Sequence, residues 1–153
     1  MRISTSANIG TVDPSWRIGI VYSSFYTEEV EALVASAGVS LQEAGIPSKN
    51  ITMHPAAGSF EVPLIGAALA EHKKVDALIG LGIIVEGETH HAALLAEETA
   101  RGIMDTQLKY QTPFAFEILY VDSLKQAQER KDKGREAAHA VLHSLAELKR
   151  IRS

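Results

Sequence analysis

A three-layer α-β-α sandwich around a four-stranded parallel sheet is predicted by three observations on the sequence. Apolar runs of strand length recur at residues 17–23, 51–55, 77–85 and 114–121. Segments with apolar residues at helical spacing separate them, so strand and helix alternate along the chain. The connections between them are short. Such alternation selects parallel strands with helices on both faces, because a parallel neighbour is reached only by a long crossover. At 153 residues the chain suffices for one domain with its own core, and 46% hydrophobic with 22% charged residues is ordinary for a globular protein.

Each element has its own signature. Arg17-Ile-Gly-Ile-Val-Tyr-Ser23 reads as the first strand. Thr27-Glu28-Glu29 then opens a helix with a cap and two acids in its first turn, and Val30, Leu33, Val34, Ala37 and Leu41 form its apolar face up to Gly45-Ile-Pro47. Ile51-Thr-Met-His-Pro55 is a short second strand. Ser59 or Glu61 opens the next helix, with Pro63 in its first turn and an end near His72-Lys73-Lys74. Residues 77–85, rich in Ile and Val and flanked by polar residues, form the central buried strand. Gly87-Glu-Thr-His-His91 turns it into a long helix to Gln111, with Thr89 as the N-cap candidate and Leu94, Leu95, Ile103, Met104 and Leu108 on the buried side. Residues 114–121 form the fourth strand, Asp122-Ser123 starts a short helix to Arg130, and Gly134 separates that helix from a final one with a basic tail.

Composition excludes several classes of function. The net charge is −4 with acids and bases interleaved, which argues against nucleic acid as a partner. No run of apolar residues is long enough for a membrane span and no signal peptide opens the chain, so a cytoplasmic protein is expected. There is no cysteine, hence no disulfide, thiolate metal site or cysteine nucleophile. His139 and His143 stand four residues apart, but no acid–histidine set accompanies them, so a solvated helix face is read there and no metal is expected. Gly80 and Gly82 lie inside a strand without the third glycine of a dinucleotide fingerprint.

In open parallel sheets ligands gather beyond the carboxyl ends of the strands. Four post-strand segments converge there: Phe25-Tyr26, Gly58-Ser59-Phe60-Glu61, residues 85–91 and the stretch after Phe116. Phe25 and Phe60 either plug the top of the core or sandwich a flat heterocycle. Glu61 either serves the helix dipole or binds ligand hydroxyls. The turn at Gly87 offers free backbone N–H groups at a helix start, an arrangement that favours anions. His90 and His91 add a side-chain type that ordinarily titrates near neutrality, and being adjacent they point apart, so one faces the rim. Arg130 lies in a charged run, which is either solvated or reaches a phosphate. Together these imply acid–base chemistry on a phosphorylated small molecule.

Three motifs carry a family resemblance. Gly58-Ser-Phe-Glu-Val-Pro63, Gly87-Glu-Thr-His-His91 and Gln126-Ala-Gln-Glu-Arg130 resemble the 6,7-dimethyl-8-ribityllumazine synthase family, in order and nearly without gaps from about residue 17 onward. The Val85-Glu-Gly-Glu-Thr form and the short link to Gly134 look like the archaeal branch of that family. The resemblance implies a flavodoxin-like fold over residues 17–153, preceded by an arm over residues 1–16. It also implies condensation of a ribitylamino-uracil diamine with 3,4-dihydroxy-2-butanone 4-phosphate, with no cofactor. By the resemblance, His91 matches the acid–base histidine and Phe25 the aromatic stacked on the pyrimidine. Ser59, Phe60 and Glu61 match the segment near the ring and ribityl chain, and Ile84 and Val85 hold the heterocycle through backbone groups. Gly87, Glu88 and Thr89 match the phosphate turn. Phe116 and the phosphate-binding Arg130 would come from a neighbouring subunit. Four departures stand out: Tyr26 where the family often has Asn, Glu86 for the usual bacterial Arg, Ala92-Ala-Leu-Leu for an aromatic-acidic run, and no lysine-containing insertion before Gly134.

The resemblance further implies a homo-oligomer, a pentamer with the long helices on its five-fold axis, and in many members a shell of 60 subunits. The arm, with Ile3, Ile9, Val12 and Trp16 as its apolar residues, is expected to be ordered by adding its edge to a neighbour's sheet. Three rivals share the fold: a riboflavin synthase of the archaeal type, a shell protein whose catalysis has lapsed, and a flavin-binding module.

Overall fold

A computed structural model describes residues 10–153. Four parallel strands form one sheet in the order β2-β1-β3-β4, with β1 at Ile18–Ser23, β2 at Ile51–Ala56, β3 at Ala77–Val85 and β4 at Phe114–Val121. Helices α1 (Thr27–Glu43) and α5 (Lys133–Arg152) cover one face, and α2 (Val62–Glu71) and α3 (His91–Tyr110) the other. A short α4 (Leu124–Glu129) follows β4. The α/β sandwich expected from the alternation is the fold observed.

The two-residue period of the strands explains why both faces are apolar. Ile18 and Ile20 of β1 and Ala77, Ile79, Leu81 and Ile83 of β3 point towards Val30, Leu33, Ala37 and Leu41 of α1 and Ala138, Val141 and Leu142 of α5. Val21, Leu78, Ile84, Phe114 and Ile118 point the other way, onto α2 and α3. Gly82 lies on that second face, where an added Cβ would stand 3.2 Å from Ile118 and crowd the Ser59 hydroxyl. β2 is an edge strand, where Pro55 is tolerated because the missing N–H has no ladder partner to lose.

Two expectations are corrected. Gly134 does not separate two helices: it sits in the first turn of α5, where α5 crosses α1 so closely that an added Cβ would collide with the Leu33 carbonyl oxygen and stand 2.8 Å from the Ala37 nitrogen. In α3 the inward residues are Ala92, Thr99, Ile103 and Thr106, with Leu95 half-buried, while Leu94, Met104 and Leu108 are exposed. Small side chains occupy the inner face because α2 packs closely there. Of the arm expected over residues 1–16, residues 1–9, with Ile3 and Ile9, lie outside the described residues. Its remainder is held by its own chain: Trp16 is buried, Val12 packs on the core, Pro14 accepts a hydrogen bond from Asn50 at 2.9 Å, and Asp13 pairs with Lys149 at 3.1 Å. Hydrogen bonds from Ser15, then from Lys149, hold the Asp13 carboxyl at about 2.

Two helix starts shift by one residue. Tyr26, not Thr27, is the N-cap of α1, and His90, not Thr89, that of α3; the Thr89 hydroxyl instead accepts the His91 N–H at 3.3 Å. Among the described residues, no helix is long and apolar enough to cross a membrane.

Candidate functional site

A cleft of about 360 Å³ opens at the carboxyl ends of β1, β2 and β3. Each wall is built by a chain reversal. After β1, Phe25 and Tyr26 leave the sheet, the Phe25 N–H donating to the buried Ser23 hydroxyl at 3.1 Å. After β2, a 3-10 turn over Ser59–Glu61 precedes α2, closed by the Glu61 N–H on the Gly58 carbonyl at 3.1 Å. An added Cβ at Gly58 would stand 3.1 Å from the Phe25 ring and 3.3 Å from a Glu61 carboxylate oxygen, so glycine lets these two walls meet. Ile84 and Val85 form the floor, and His91 and Leu95, at the start of α3, close the third side.

Of the residues expected at the site, Phe25, Ser59, Phe60, Glu61, Ile84, Val85 and His91 thus share one cleft. Phe25 is 63% exposed and Phe60 57%, so neither plugs the core, and two rings on one rim are free to take a planar group. The Ser59 hydroxyl is buried and has no hydrogen-bond partner among the described residues. His90 does not line the cleft.

Gly87, Glu88 and Thr89 form an exposed turn beside the cleft, not in its wall. Phe116 and Arg130 lie elsewhere, in a hollow of about 640 Å³ along the β4 edge between α3 and α5. No described residue lines both hollows, and neither Phe116 nor Arg130 lines the cleft that holds His91. The Arg130 guanidinium donates to the Gln126 carbonyl at 3.1 Å, against the end of α4.

Two residues outside the expected set, Ser23 and Glu117, bear on the two hollows, as does the conformation of Tyr26. Ser23, the last residue of β1, lines the cleft. Tyr26 lines the cleft in a left-handed conformation, φ 53° and ψ 53°, unfavourable for a large aromatic. Asn, the residue the resemblance expects there, adopts that conformation at lower cost. Glu117 projects from β4 beside Glu136 and Lys133, which pair at 3.1 Å. Burial, then the Glu136 carboxylate, raises Glu117 to about 7, while Lys133 opposes the shift. As the one charged residue in an apolar strand, it was the signal to follow.

A folded-state value raised above the ordinary one means stability is present at low pH and lost as pH climbs from about 4.5 to about 7. Glu117→Gln should therefore stabilise the protein by about 1–2 kcal/mol at pH 8 and hardly at pH 4. Urea unfolding at both pH values checks this; equal effects at the two would refute it.

Residues 15–149 match the family model described as 6,7-dimethyl-8-ribityllumazine synthase. Similar curated proteins bear the same name. That of Paracidovorax citrulli is 43% identical over 126 residues, 82% of each chain. That of Methylobacillus flagellatus is 37% identical over 136 residues, 88% of this chain and 91% of its own. That of a Polaromonas species is 40% identical over 126 residues, again 82% of each. These relatives are bacterial, so the expected likeness to the archaeal branch finds no support among them. The cleft beyond the strand ends, the three motifs in order along the chain and this match over most of the length lead to one assignment: the chain belongs to the 6,7-dimethyl-8-ribityllumazine synthase family.

Proposed function

We propose that this protein is a transferase of riboflavin biosynthesis, condensing 5-amino-6-(D-ribitylamino)uracil with 3,4-dihydroxy-2-butanone 4-phosphate to 6,7-dimethyl-8-ribityllumazine. The observation that carries this is one cleft holding two exposed aromatic rings, a carboxylate at a helix start and a histidine. Phe25 and Phe60 take the pyrimidine ring, Ser59 and Glu61 face the ribityl hydroxyls, and the backbone of Ile84 and Val85 meets the edge of the heterocycle. Amine attack on the ketone, elimination of inorganic phosphate, ring closure and loss of two waters each move protons, and His91 serves those transfers. The turn Gly87-Glu88-Thr89 takes the phosphate. Holding two substrates together supplies much of the acceleration, and no cofactor takes part.

Assembly completes the site. Phe116 and Arg130 lie on the β4 edge, remote from their own cleft, and would serve the cleft of a second copy. The exposed stripe Leu94, Met104 and Leu108 on α3 supports packing of the same helix between subunits, as in a pentamer. Twelve pentamers would close the 60-subunit shell. On this reading residues 17–153 are the catalytic domain, residues 1–16 the assembly arm, and the enzyme works in the cytoplasm with small-molecule substrates alone.

The test is direct: mix the purified protein with both substrates and follow lumazine absorbance. Product formation at a rate proportional to protein concentration is expected. A folded oligomer that forms none is the lapsed shell instead.

A further inference from the structure

The β3–β4 ladder runs one rung beyond the strands, where the Glu86 N–H donates to the Val121 carbonyl at 2.8 Å. That rung fixes where the Glu86 side chain can go. One carboxylate oxygen accepts the Gly87 N–H at 3.2 Å, and the other accepts the Tyr120 hydroxyl. Tyr120 sits in register with Ile84 on the edge strand, within reach of the turn. The hydrogen bond to Glu86 pushes the Tyr120 hydroxyl above its ordinary value, so the phenol keeps its proton and donates it. No Lys or Arg pairs with Glu86 among the described residues, and Glu97 and Asp122 add to the negative field around Tyr120. Glu88 lies two residues along the same turn.

This arrangement is odd for a turn that takes phosphate. A carboxylate already occupies the amide donor that the turn would present, and its charge opposes a second anion. We propose that Glu86 is an internal anion competing with the substrate's phosphate for the Gly87 amide, and that Tyr120 holds it in place. The pair then sets the phosphate affinity of the site. This rests on the reading of Gly87-Glu88-Thr89 as the phosphate turn. Binding requires the carboxylate to swing off Gly87, and release of inorganic phosphate is helped by its return. Tyr120 and Glu86 are positioning residues here; neither touches the reacting atoms.

The rival is a plain tether, in which Glu86 and Tyr120 support the turn, and the two readings predict opposite signs. Glu86→Gln keeps one acceptor oxygen, its NH2 can donate to the Tyr120 oxygen in place of the second, and the charge is removed. Inorganic phosphate binding, measured by calorimetry on the assembled protein, should tighten by about three- to thirtyfold in Glu86→Gln, the scale of one like-charge contact removed. Tyr120→Phe should shift it the same way by less, because the freed carboxylate spends more time in solvent. The KM for the butanone phosphate should fall in both variants while that for the uracil diamine holds. Unchanged or weaker phosphate binding in Glu86→Gln overturns the proposal, and weaker binding in Tyr120→Phe overturns the part given to Tyr120. Lumazine formation by the unsubstituted protein alongside such a result would leave the functional reading standing and sink only this one. Absence of phosphate binding in every variant would overturn both this proposal and the assignment of the turn.

Discussion

His91→Ala lowers lumazine formation by about ten- to a thousandfold at saturating substrates, the usual scale of a lost proton-transfer group. The ring stands at the first residue of α3, where its backbone N–H is held by the Thr89 hydroxyl and its side chain meets the cleft. His90 shares the turn but not the cleft, so His90→Ala should cost far less. Both positions are exposed, and neither alanine should disturb folding. Steady-state turnover of the two variants, with thermal unfolding as the control, decides the matter. Equal losses, or a larger loss at His90, would mean that the acid–base role does not belong to His91.

The second large effect is on stability. Gly134→Ala places a methyl group against the backbone of α1, at the Leu33 carbonyl and 2.8 Å from the Ala37 nitrogen. A side chain can rotate away from such a contact, but backbone atoms inside a helix cannot. The exchange gains about 1 kcal/mol of helix propensity. That gain is outweighed, because forcing two packed helices apart costs about 3 kcal/mol or more and opens the contacts of their neighbours. The unfolding midpoint should drop by roughly 5 °C or more. An unchanged midpoint would show that α5 can slide on α1 at no cost.

The sheet and most of the cleft were legible because they rest on local signals. An apolar run followed by glycine and then a helical period marks β3 and α3, and the Gly58-Ser-Phe-Glu and Gly87-Glu-Thr-His-His segments fall just after strands, where ligands collect. What was missed depends on pairs distant in sequence. Gly134 looks like a break because glycine disfavours helices, and only the crossing with α1 reveals it as a contact. The inner face of α3 was assigned to its largest apolar residues, whereas close packing with α2 admits Thr99 and Thr106 and leaves Leu94, Met104 and Leu108 outside. No local pattern links Pro14 to Asn50 or Asp13 to Lys149, the contacts that hold residues 13 and 14 from across the chain. Glu86 and Tyr120 are 34 positions apart, and no local pattern joins them.

The packing of residues 10–16 makes the order of elements a matter of convention. Gly10 and Ser153 line one hollow beside Ala146, at the end of the sheet away from the cleft, so a short linker could join them. The connection between α1 and β2, residues 44–50, lies at that same end. A circularly permuted chain could therefore begin at β2 and finish with α1, both its new termini and its new joint remote from His91 and the rings of Phe25 and Phe60.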